Sequence, residues 1–122
     1  MTTESLMGRR CLIAGLFSMK DGQIDTQLDA LASFVERSGG AIVGRLYQRR
    51  GVSRSKKPGG SKALNTPMDA AFYIGKGKAM ELKELVASNN ADTVIFINKL
   101  SGTQIRNLTE LTNCRIIDNQ IA

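Results

Sequence analysis

Residues 93–117 read TVIFINKLSGTQIRNLTELTNCRII, and this stretch decides the fold class. Its first five residues, 93–97, are β-branched or aromatic without interruption, the make-up of a strand buried on both faces. Ser101 and Gln104 have the spacing of a capping box, so a helix starts there and buries Ile105, Leu108 and Leu111 along one side. Residues 114–117 (CRII) return to strand character. Strand, helix and strand in immediate succession make a crossover unit, whose two strands run parallel.

The same alternation extends toward the N-terminus. Residues 11–17 (CLIAGLF) form a compact apolar run closed by Ser18, Lys20 and the turn signal Asp21-Gly22. Ile24, Leu28, Leu31, Ala32 and Val35 then recur at helical spacing, with Asp25 or its neighbours placed to cap the start and Gly39-Gly40 to end it. Residues 41–47 (AIVGRLY) read as a second strand and 71–74 (AFYI) as a short strand entering Gly75-Lys76-Gly77-Lys78. Helical spacing resumes at Ala79, Leu82, Leu85 and Val86 and closes at Asn89-Asn90. The expected fold is α/β: a small, mostly parallel sheet of four to five strands with helices packed on its faces. At 122 residues the chain reads as a single domain, 1–122. A basic, flexible loop is expected at about 48–69, because that stretch carries almost no large apolar residue and connections of such length are usually functional or mobile.

Seventeen Lys and Arg oppose eleven Asp and Glu, a net charge of +6. The excess is concentrated. Between Arg37 and Met68 stand eight basic residues and no acidic one, while the rest of the chain sets nine bases against all eleven acids. A near-neutral body bearing one basic segment suits contact with polyanions, or alternatively a solvated loop kept soluble by its charge. The absence of His excludes a Ser-His-Asp triad, a Cys-His nucleophile pair and a His-ligated zinc site within these residues. Cys11 and Cys114 lie in separate strand-like runs without a CxxC pair and read as buried thiols of a reducing compartment. No apolar run approaches the roughly 20 residues of a membrane span, and a cytoplasmic location is expected.

Gly75-Lys76-Gly77-Lys78 opens a helix directly after a strand, where backbone N–H groups can receive a phosphate; the alternative is a tight turn that needs glycine. It is not a Walker A loop, because Ala79 stands where the Mg²⁺-binding hydroxyl belongs and Phe72 where the first glycine does. Nor does it have the third glycine of a dinucleotide fingerprint. Among carboxylates, Asp118 is the most notable, since open parallel sheets bind ligands beyond the carboxyl ends of their strands. No catalytic constellation and no metal site is legible. Tyr47 at the entrance of the basic loop and Phe72 and Tyr73 at its exit are residue types that stack on unpaired bases, although at least one of the latter pair is expected to face the core.

Gln48-Arg49-Arg50 after a strand, a variable basic loop, and Tyr73-Ile74-Gly75-Lys76-Gly77-Lys78 leading into a Glu-Leu helix together resemble the N-terminal domain of the HflX-type GTPases. The likeness continues through Ala91-Asp92-Thr93-Val94-Ile95-Phe96, through Leu100-Ser101-Gly102-Thr103-Gln104-Ile105-Arg106-Asn107-Leu108, where Gly102 replaces a common Pro, and into Arg115-Ile116-Ile117-Asp118. It implies a ribosome- and RNA-facing module of a GTP-binding translation factor that acts on the large ribosomal subunit. On this reading Arg45, Arg49, Arg50, Arg54, Lys56, Lys57 and Lys62 meet phosphates of ribosomal RNA, and Gly75, Lys76, Gly77 and Lys78 form a phosphate-receiving turn. GTP and Mg²⁺ are implied for a full-length relative, and ATP binding for its N-terminal part. In the family an Arg-Thr pair, a helical linker and a G domain follow the equivalent of Asp118; here Asn119 and Gln120 stand in place of the pair. No Walker A, switch or guanine-specificity motif lies within these 122 residues, so they are not expected to hydrolyse GTP by the family's mechanism. Two other readings remain open: a self-contained small nucleotide-binding α/β protein, and a partner-docking domain without RNA contact.

Overall fold

A computed structural model describes residues 6–18, 20, 22–49 and 70–118. Among these residues the order is β1 (Arg10–Phe17), α1 (Ile24–Arg37), β2 (Ala41–Arg49), α2 (Lys76–Asn89), β3 (Thr93–Phe96), α3 (Gly102–Thr112) and β4 (Arg115–Ile117). The strands form one four-stranded sheet in the order β2-β1-β3-β4 with every pairing parallel. The expected α/β class is therefore observed, with four strands. Residues 50–69, most of the expected basic loop, lie outside the described residues.

The order reverses direction at β1, and this reversal distributes the helices. The step from β1 to β2 goes one way across the sheet and the steps to β3 and β4 go the other, so right-handed crossovers place α1 on one face and α2 and α3 on the opposite one. Two cores result. Cys11, Ile13, Phe17 and Ile95 pack under Ile24, Leu28, Ala32 and Val35 of α1. Leu12, Ala14, Leu16, Val94 and Phe96 pack under Ala79, Leu82 and Val86 of α2 and Leu108 of α3. Because β1 and β3 are covered on both faces, nearly every residue in them is buried, which explains their unbroken apolar runs.

The helix ends show how local chemistry sets boundaries. The Ser101 hydroxyl accepts from the Gln104 N–H at 3.1 Å while the Gln104 side chain accepts from the Ser101 N–H at 2.9 Å, the reciprocal capping box that the spacing predicts. At the end of α1, Gly39 takes φ +94°, and the Gly40 N–H reaches back to the Val35 carbonyl at 3.0 Å. Asn90 and Asn113 stop α2 and α3 in the left-handed conformation that Asn tolerates. At the start of α1 a neighbour of Asp25, Gln23, occupies the cap position without a side-chain hydrogen bond, and Asp25 lies inside the first turn. There its charge still favours the helix dipole.

Residues 71–74 depart from expectation. They are a turn with a single bridge at Tyr73, not a strand, because Tyr73 adopts φ +71°, which no strand continues through. A second departure lies in β2. Cys11 pairs with Ile42 but Leu12 with Gly44, leaving Val43 as an extra bulged residue. The bulge inverts the alternation, so that Ile42 packs toward α1 while Leu46 packs toward α2 and α3.

Candidate functional site

The strand order reverses between β1 and β3, whose carboxyl ends lie side by side in the sheet. The residues there are mostly committed to structure. Asn98 accepts the Leu16 N–H at 2.7 Å and donates to the Leu16 carbonyl at 3.0 Å, and the buried Asp118 carboxylate accepts the Leu100 N–H at 2.8 Å. Asp118, singled out as a strand-end carboxylate, thus anchors the approach to α3.

The basic residues sit on β2. After the bulge, Arg45, Tyr47 and Arg49 stand opposite Ile13, Gly15 and Phe17 of β1 and share one face at the sheet's edge. All three are exposed. The Arg45 guanidinium donates to Asp29 of α1 at 2.8 Å, an ion pair whose partners remain 39% and 66% exposed and which contributes only about 0.2–1 kcal/mol. Of the seven expected phosphate contacts, Arg45 and Arg49 are therefore placed together, whereas Arg50, Arg54, Lys56, Lys57 and Lys62 lie outside the described residues. Of the three aromatic residues flanking the basic segment, Tyr73 is buried and Phe72 packs against the core, which leaves Tyr47 facing solvent.

Gly75, Lys76, Gly77 and Lys78 form the start of α2. Gly75 is its N-cap and supplies no side chain, and the first turn holds no acidic residue. Lys76 and Gly77 are exposed, a Cβ on Gly77 would meet nothing within 4 Å, and the Lys78 ammonium lies 3.1 Å from Glu81. The turn can accept an anion on its backbone N–H groups. It does not fit a Mg²⁺-nucleotide in the P-loop manner, because Ala79 is buried and has no hydroxyl to ligate the metal.

Three amide side chains, none of them singled out from the sequence for this role, hold that turn and the residues leading into it. Gln48 at the end of β2 accepts the Gly75 N–H at 2.9 Å, Gln104 donates to the Ala70 carbonyl at 3.2 Å, and Asn107 donates to the Ala71 carbonyl at 3.1 Å. The spacing of Gln104 and Asn107, one helical turn apart, is the signal that places both on one side of α3. Several of the stretches that resemble the HflX pattern therefore touch, Gln48 holding the Gly75 backbone and Asp118 that of Leu100. At the opposite, amino edge, Arg10 donates to the carbonyls of Asn89 and Asn90 at 2.7 and 3.0 Å and so satisfies the end of α2. Cys11 and Cys114 are buried free thiols; burial pushes Cys11 up to about 11 and also raises Cys114.

A family model described as "GTP-binding GTPase N-terminal" matches residues 61–121, half of the chain and the whole of the segment from α2 to β4. The chain belongs to this family. Its relatives carry the same theme: it is 36% identical over 110 residues, 90% of its own length, to GTPase HflX of Caldanaerobacter subterraneus subsp. tengcongensis, of which it covers 22%. It is 35% identical over 91 residues, 75% of its length, to GTPase HflX of Thermofilum pendens, covering 18% of that protein. With GTPase HflX of Escherichia coli the identity is 45% over 47 residues, 38% of this chain and 11% of the relative. The chain thus spans about a fifth of the length of the first two of these HflX proteins and corresponds to their N-terminal module. Among the described residues no helix is long and apolar enough to cross a membrane.

Proposed function

We propose that this chain is the ribosome- and RNA-facing N-terminal module of an HflX-like, GTP-binding translation factor that acts on the large ribosomal subunit in the cytoplasm. The observation that carries the reading is the exposed pair Arg45 and Arg49 on an edge strand that runs straight into the acid-free basic segment. Such a strip neutralises phosphates without needing a pocket, and its contribution to binding falls as salt displaces it. GTP turnover belongs to the G domain implied for full-length relatives. The test is co-sedimentation of the chain with large ribosomal subunits across a salt series. Binding that weakens steeply with salt, and weakens further when Arg49, Arg50, Lys56 and Lys57 become Ala, supports the reading. Binding that is flat in salt, or indifferent to those substitutions, overturns it.

A second reading rests on the start of α2, where Gly75 leaves the N-terminus without a side-chain cap and Lys76 stands exposed beside it. This turn would receive the phosphates of a nucleotide such as ATP. Calorimetry with ATP and GTP tests it: saturable binding lost in Lys76→Ala supports it, and absence of heat with both nucleotides removes it.

A further inference from the structure

Tyr47 is 42% exposed, whereas the chain's other tyrosine, Tyr73, is 7% exposed. A singly exposed tyrosine is ordinary on a protein surface, but this ring is also held in place. Phe17 meets it edge-on, with ring centroids 6.2 Å apart and planes at 78°. Phe17 in turn lies back over Gly15, where an added Cβ would fall 2.8 Å from its Cε2 atom and 2.7 Å from Ile97 Cγ2. Gly15 therefore clears the site in which Phe17 rests, and Phe17 orients Tyr47. Arg45 and Arg49 flank Tyr47 at alternate positions of the same strand, so their backbone positions each stand roughly 7 Å from that of Tyr47 along the chain direction. That is about the separation between a base and its neighbouring phosphates.

We propose that Tyr47 is a stacking platform for an unpaired base of a single-stranded RNA segment whose phosphates meet Arg45 and Arg49. The proposal rests on the RNA-facing reading above and adds to it the class of RNA, since a base inside a duplex offers no face to the ring. Charge complementarity selects this occupant: the face carries Arg45 and Arg49, and β2 leads into a stretch with no acid before Asp69. The exposed pair between Arg45 and Asp29 is no obstacle, because it costs little to exchange that carboxylate for a phosphate.

The chain has no tryptophan and two tyrosines, so Tyr73→Phe leaves Tyr47 as the sole tyrosine emitter. Binding of a single-stranded oligoadenylate and of an RNA duplex is followed by anisotropy of labelled RNA, together with tyrosine emission. The proposal predicts quenching of Tyr47 emission by the single strand alone. It also predicts about tenfold weaker single-strand binding for Tyr47→Ala with an unchanged salt slope, and near-parental binding for Tyr47→Phe. Unchanged affinity in Tyr47→Ala, or unchanged emission at saturating single strand, overturns the stacking role while leaving the RNA-facing reading in place. No binding of either RNA by the parent chain overturns both.

Discussion

Asn98 is the residue whose removal reports most directly on how the sheet is closed at its point of reversal. The last backbone bond between β3 and β1 runs from the Ile97 N–H to the Ala14 carbonyl at 2.9 Å. Beyond it the chain leaves the sheet, and the Asn98 amide takes over as a side-chain continuation of the ladder, serving both polar groups of Leu16 at 2.7 and 3.0 Å. Leu16 is only 4% exposed, so water does not readily replace what Asn98 supplies. Asn98→Ala removes two hydrogen bonds, each about 0.5–1.5 kcal/mol net, and leaves two poorly solvated backbone groups that raise the cost to about 2–4 kcal/mol. At about 4 °C per kcal/mol for a chain of this size, the midpoint of thermal unfolding drops by roughly 8–16 °C. Asn98→Asp sharpens the test. Its carboxylate keeps the acceptor for the Leu16 N–H but opposes the Leu16 carbonyl, so the neutral acid is favoured in the folded state and its pKa rises above the unfolded value. The folded state then binds the extra proton, and the deficit relative to the parent narrows as pH falls through the carboxylate range. The assay is urea unfolding of parent and variants at several pH values. A loss below about 0.5 kcal/mol for Asn98→Ala, or a deficit in Asn98→Asp that does not change with pH, would refute the reasoning.

Two further perturbations address other parts of the molecule. Gln104→Ala removes one arm of the capping box together with the hold on Ala70, so stability falls by about 1–2 kcal/mol and amide exchange at Ile74 and Gly75 accelerates; Gln104→Glu keeps the cap acceptor and loses the donor to Ala70, so exchange still accelerates while the cap is retained. Cys11 is pushed up to about 11 chiefly by burial, with the Asp92 charge second, from an ordinary value of 9.0. A raised thiol keeps its proton in the folded state while the unfolded chain loses it. Stability is therefore intact below pH 9 and declines as pH rises toward 11, and urea midpoints measured over that range should flatten in Cys11→Ala.

Strands and helices were readable where neighbours in sequence are also neighbours in the element. The apolar run 93–97, the Ser101–Gln104 box and the paired glycines after α1 all act within one or two turns. The bulge at Val43 was not readable, because it exists only in the pairing of β2 with β1, and it moves Arg45 and Arg49 onto the α1 face. Tyr73 reads as a strand residue by composition; its left-handed backbone lies between Ala71 and Gly75, and that stretch is held by amides from Gln48, Gln104 and Asn107, 25 or more residues away. For the same reason the sequence pointed to Arg45, Arg49 and the turn at Gly75 but not to the side chains that position them.

The central claim is that the basic strip on and after β2 meets ribosomal RNA. The measurement that tests it most directly is the slope of log binding constant against log salt for the chain and large ribosomal subunits. With Arg49, Arg50, Lys56 and Lys57 replaced by Ala, the account predicts weaker binding and a slope shallower by up to about 3. Equal slopes for parent and variant would contradict it.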